Sequence, residues 1–133
     1  MPKPNLTVII SDLHAGAGES LLTVLDSRNQ PVDSQPSPVT LAFAAAFGPF
    51  MTALDADAPP DLVILGDALD LSLAPPDVAA QVLRTFLKEA GFARLFGQVS
   101  FVAGNHDHLL WTAERYGATA GKADPMQPGF WTH

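Results

Sequence analysis

Three short apolar runs, each closed by a turn that carries acidic or amide side chains, constrain this chain more than any other feature. Leu6-Thr7-Val8-Ile9-Ile10 runs into Ser11-Asp12-Leu13-His14. Asp61-Leu62-Val63-Ile64-Leu65 runs into Gly66-Asp67-Ala68-Leu69-Asp70. Gln98-Val99-Ser100-Phe101-Val102-Ala103 runs into Gly104-Asn105-His106-Asp107. Runs this short and this apolar predict strands buried on both faces, as in a parallel sheet.

Helical patterns lie between them. Ser37-Pro38 supplies a capping residue followed by proline at the first helical position. A helix is expected over 38–54, kinked at Gly48-Pro49, with Phe43, Phe47, Phe50 and Leu54 as its core stripe. Pro75-Pro76-Asp77 opens a second helix whose apolar positions Val78, Val82, Leu83, Phe86 and Leu87 keep helical spacing up to a stop at Gly91. A third, short helix is expected over 109–116, with residues 117–133 irregular. Residues 26–38 hold three prolines and read as a loop. Gly16-Ala17-Gly18 lacks a third glycine at dinucleotide-binding spacing and reads as a flexible loop. The order β-α-β-α-β-α predicts an α/β domain with right-handed crossovers.

Composition narrows the function. Of the 133 residues, 47% are hydrophobic and 16% charged, which excludes intrinsic disorder. With 14 acidic against 7 basic residues the net charge is −7, and no Lys/Arg cluster offers a nucleic-acid patch. There is no cysteine, so thiolate metal sites, iron–sulfur centres and thiol nucleophiles are ruled out. No apolar stretch reaches the length of a membrane segment. Aspartate follows the first apolar run at once with no cleavage pattern, so a cytoplasmic protein without signal peptide is expected.

The chemistry lies at the strand ends. In open parallel sheets the carboxyl ends of the strands form the ligand crevice. Asp12, His14, Asp67, Asp70, Asn105, His106 and Asp107 should therefore converge on one rim. Carboxylates gathered this way repel one another unless a positive charge sits among them, and the chain has few basic residues to supply it. A bound divalent cation answers the need. Oxygen and imidazole donors without thiolates suit Mn, Fe, Zn or similar ions. If the first strand continued through Asp12-x-His14, both side chains would project to one side and hold one ion. Asp67, with two oxygens, could bridge two, and Asn105 could offer a carbonyl oxygen to the second. Two divalent ions about 3.5–4 Å apart can clamp the oxygens of an in-line displacement at phosphorus.

Asp12-x-His14, Gly66-Asp67-x-x-Asp70 and Gly104-Asn105-His106-Asp107 together resemble, in order, the first three sequence blocks of the calcineurin-like metallophosphoesterase superfamily. The resemblance spans 6–116, with 117–133 a tail of the same partial domain, 1–133. It implies a β-sandwich flanked by helices, of which this chain carries the N-terminal β-α-β-α-β-α half. It implies two divalent metals, with Asp12 and His14 on the first, Asp67 bridging and Asn105 on the second. It implies that His106 acts at the leaving oxygen, that Asp70 orients His106, and that Asp107 caps the following helix. It implies a phosphomonoester, phosphodiester or pyrophosphate as substrate.

The family's two later histidine blocks have no counterpart here. The only later histidines are His108, read as an exposed loop residue, and the terminal His133. A truncated, catalytically inactive domain, or a scaffold that needs a partner or its missing half, is therefore the competing expectation. A half-domain should expose an apolar sheet face and associate through it. Trp111, Tyr116 and Trp131 are expected to serve packing.

Overall fold

The structure, a computed structural model, describes residues 6–32, 34–54 and 58–108. The expected helix over 109–116, the tail, Trp111, Tyr116, Trp131 and His133 lie outside the described residues. The elements run β1 (Thr7–Ile10), β2 (Val24–Leu25), β3 (Pro31–Val32), α1 (Pro38–Ala53), β4 (Asp61–Leu65), α2 (Pro76–Glu89), α3 (Phe92–Leu95) and β5 (Val99–Val102).

The three apolar runs become β1, β4 and β5, a wholly parallel sheet in the order β1-β4-β5. Val8 pairs with Leu62 and Leu62 with Val99; Ile10 pairs with Ile64 and Ile64 with Phe101. These six share one face, and Leu62 and Ile64 at its centre are fully buried. Burial of side chains this size contributes about 1.5–3 kcal/mol each. The helices meet that face through phenylalanines. Phe43 of α1 lies 5.3 Å from Phe86 of α2, Phe47 lies 5.5 Å from Phe92 of α3, and Phe92 lies 5.2 Å from Phe96.

The other face differs from expectation. Ile9, Leu65 and Val102 alternate with the buried set and are exposed, Ile9 by 60%. Burial on both faces is thus corrected to burial on one among the described residues. A run in which nearly every residue is apolar does not say which half of its alternation is covered.

Helix α1 begins where Ser37 and Pro38 place it. The Ser37 hydroxyl accepts the Thr40 amide at 3.0 Å. The helix continues through Pro49 to Ala53 without a break. Its predicted core stripe holds only in part: Phe43 and Phe47 are half-buried, whereas Phe50 and Leu54 are exposed and Met51 takes the buried position. Helix α2 has Asp77 in its first turn and Lys88 in its last, each opposite the helix dipole end it complements. The four-residue α3 after Gly91 had no sequence expectation.

The proline-rich loop is not wholly irregular. β2 and β3 pair antiparallel, Val24 with Val32 and Leu25 with Pro31. Asp26 closes their turn by accepting the amides of Arg28 and Gln30 at 2.8 and 2.9 Å. Turn chemistry, not apolar pattern, makes this hairpin. The Gly16 turn is likewise fixed rather than flexible. A Cβ there would lie 2.8 Å from the Ala79 backbone, so only glycine lets the turn press against α2.

Candidate metal centre

The strand ends are stitched together beyond the regular sheet. The Asp12 amide donates to the Gly66 carbonyl at 3.2 Å, His14 to Asp67 at 2.8 Å and Ala15 to Ala68 at 2.9 Å. The Asp70 amide returns to the Ala15 carbonyl, and Leu71 donates to the His106 carbonyl at 3.1 Å. These bonds carry the register of β1, β4 and β5 into their turns and bring the three motifs onto one rim.

The strand does not continue through Asp12-x-His14 as the alternation argument requires. Asp12 and His14 have φ of 56° and 46°, and Asp67 has 49°. Their side chains share a side because the backbone turns through the left-handed region, not because it stays extended. Among the described non-glycine residues only Asn29, in the β2–β3 turn, shares this conformation. Positive φ is uncommon outside glycine and costs about 1–3 kcal/mol when held by its surroundings; such strain gathers at functional sites.

Two side-chain clusters result. Asp12, His14 and Asp67 each present a ligand atom within 4.8 Å of the others. Ligands at about 2.0–2.2 Å from an ion lie up to about 4.4 Å apart, so small side-chain shifts close this set on one ion. The second cluster is His14, Asp70 and His106. Asp70 Oδ2 lies 3.3 Å from Nδ1 of His14 and 3.1 Å from Nδ1 of His106, and the two rings stand edge to face with centroids 4.7 Å apart. A carboxylate placed between the two Nδ1 atoms can accept a hydrogen bond from each ring and so fix how both rings are turned.

Asp70 is buried, which by itself raises its pKa. Hydrogen bonds from Ser72, His106 and His14 outweigh burial and bring it down to about 2. Ser72 escaped the sequence reading. Its hydroxyl and amide both donate to Asp70 Oδ1, as does the Leu73 amide. The available signal was its position two residues after an aspartate, where turns of this type form.

Asp67 Oδ1 accepts the His106 amide at 2.9 Å, so the second and third motifs are joined at the candidate ligand cluster itself. Gly104 permits this approach: a Cβ there would fall on the carboxylate and amide of Asp67. Asn105 is exposed on the same turn, and its backbone carbonyl oxygen lies 2.7 Å from Nδ1 of the exposed His108. The helix that Asp107 is expected to cap lies outside the described residues; what the structure shows is a different set of contacts for this side chain. It is fully buried, with Oδ2 accepting the Ala68 amide at 2.8 Å and Oδ1 the Gly104 amide. It is a clamp between the β4 and β5 turns.

Asp12, His14, Asp70 and His106 open into a groove of about 580 Å³. No Lys or Arg is among its described lining residues. The carboxylates of this rim thus have imidazoles and backbone amides about them but no fixed cationic side chain from the groove wall. Donors of this kind at the ends of parallel strands define an α/β domain suited to hold divalent metal. The sequence model of the calcineurin-like phosphoesterase family matches residues 6–129, and the chain belongs to that family. No curated protein and no solved structure matches it.

Proposed function

We propose that this domain is a metal-dependent phosphoesterase, in which Asp12, His14 and Asp67 hold one divalent ion and Asp67 and Asn105 contribute to a second. The observation that carries the reading is the Asp12–His14–Asp67 cluster, built on three positive-φ residues in the two turns that follow the adjacent strands β1 and β4. Mn, Fe, Zn or similar ions suit its donors. Such an ion supplies positive charge to a phosphoryl oxygen and increases the acidity of water.

The chain's own residues account for the remaining requirements. Water oxygen forms a bond to phosphorus and gives up a proton to the surrounding solvent as the ester P–O bond breaks. His106 delivers a proton to the departing oxygen, yielding the alcohol. Asp70 holds the His106 ring through Nδ1, and Ser72 holds Asp70. Asp107 keeps the Asp67 and His106 turns at their working separation. Phosphomonoesters, phosphodiesters and pyrophosphates all fit this chemistry. A cytoplasmic setting suits it as well; among the described residues no helix is long and apolar enough to cross a membrane.

One observation favours a second reading. The sequence holds no histidine pair after His108 to complete a dinuclear set. In that reading residues 1–133 form a partial domain that binds metal but turns over substrate only with ligands from elsewhere. The uncovered face bearing Ile9, Leu65 and Val102 supports association through the sheet.

The test is hydrolysis of p-nitrophenyl phosphate and its bis-ester with added Mn²⁺. Turnover by the parent chain that falls at least a hundredfold in Asp67→Asn and in His106→Ala supports the phosphoesterase. Metal binding without turnover supports the partial domain. Turnover unchanged in Asp67→Asn overturns the site.

A further inference from the structure

The groove that holds Asp12, His14 and His106 has an apolar part as well: Leu21, Leu22, Val39, Phe43, Leu73 and Phe86 also line it. Leu21 and Leu73 are exposed by 71% and 68%, and Val39 is also exposed. Water-facing leucines are unremarkable singly, but here they line one continuous concavity that opens on the candidate phosphoryl site. The wall is braced. The Ser37 hydroxyl donates to the Leu21 carbonyl at 2.7 Å, tying the loop to the start of α1, and the Ser20 hydroxyl donates to the Leu13 carbonyl at 2.8 Å. The Gly16 amide donates to Thr23 Oγ1 at 3.2 Å.

The wall also discriminates by what it lacks. Among its described lining residues no Lys or Arg could meet a second phosphate or a carboxylate, and Glu19 on the rim would repel either. A polyhydroxylated arm would find few side-chain partners there. The geometry points to a phosphoester whose alcohol portion is apolar, an alkyl or aryl arm that lies along Leu21, Val39 and Leu73 while its phosphate sits at Asp12, His14 and His106. This rests on the phosphoesterase reading and names the substrate class for the same site.

Calorimetry on the full chain with Mn²⁺ compares octyl phosphate, below its micelle concentration, with methyl phosphate. A fully buried methylene contributes about fourfold in affinity, so about two buried methylenes give tenfold. The expected result is octyl phosphate binding at least tenfold more tightly than methyl phosphate, with the ratio falling below threefold in Val39→Asp. Val39 lies in the first turn of α1, where an aspartate complements the helix dipole, so this substitution spares the fold. Leu21→Ser, at an exposed loop position, should reduce the ratio in the same direction. Equal, Mn²⁺-dependent binding of both esters overturns the apolar arm and leaves the phosphoesterase reading intact. Binding of neither ester overturns both. Octyl phosphate binding that is indifferent to Mn²⁺ and matched by octyltrimethylammonium overturns the proposal as well, since the groove would then trap chains without recognising phosphate.

Discussion

Removing the Asp107 carboxylate should unseat the candidate centre without touching a ligand. Both of its oxygens accept backbone amides, one from Ala68 and one from Gly104, and the side chain is wholly shielded from water. Asp107→Ala leaves two donors without an acceptor. Ala68 is itself fully buried, so its amide bears the full desolvation penalty of about 1–3 kcal/mol. Gly104 is half-buried and regains part of its bond from water, leaving about 1 kcal/mol. The sum is a loss of about 2–4 kcal/mol in unfolding free energy. Asp107→Asn keeps one acceptor oxygen and should lose about half as much. Urea denaturation followed by far-ultraviolet circular dichroism, in chelator at neutral pH, measures all three chains. A loss in Asp107→Ala within about 0.5 kcal/mol, the range of an ordinary surface substitution, would refute the clamp. So would an asparagine variant less stable than the alanine variant.

Three further outcomes follow from the same contacts. Gly104→Ala places a methyl group on the Asp67 carboxylate and amide; Mn²⁺ affinity by calorimetry should fall at least tenfold while the far-ultraviolet spectrum stays that of a folded α/β domain. Asp70 has a folded-state pKa of about 2 against an ordinary 3.8, so the chain stabilises its ionised form. That contribution is complete above about pH 4 and is lost as pH falls toward 2. Acid unfolding of the metal-free chain should therefore flatten between pH 4 and 2 in Asp70→Asn, and an unchanged profile would contradict the assignment. Ser72→Ala removes the hydroxyl donor that helps hold Asp70 down; the Asp70 carboxyl, followed by NMR titration, should move upward toward 3.8.

Much of this architecture is visible in residue order, for identifiable reasons. β-Branched runs closed by Gly-Asp and Gly-Asn mark strand ends regardless of context, and β4 (Asp61–Leu65) matches the run that announces it. Asp12, His14, Asp67, Asp70 and His106 converge because a parallel sheet places all its carboxyl ends together. What stays hidden depends on partners distant in sequence. The exposure of Ile9 and Leu65 follows from which face the helices cover, and both faces of those strands are apolar. Aspartate and histidine tolerate positive φ better than most residues, but residue type alone does not say which of them adopt it; at Asp12, His14 and Asp67 the surrounding turns decide. The contact between Asp107 and the Ala68 amide leaves no local signal, because the two residues lie 39 positions apart. The β2–β3 hairpin rests on two residue pairs and the Asp26 turn, too short for an apolar period to register.

Manganese binding to the intact chain tests the account most directly. Calorimetric titration should show saturable binding that weakens at least tenfold in Asp12→Asn, His14→Ala and Asp67→Asn, each variant retaining its helical and strand signal. No saturable binding by the parent chain, or equal affinity in all four proteins, would contradict a metal centre at these strand ends.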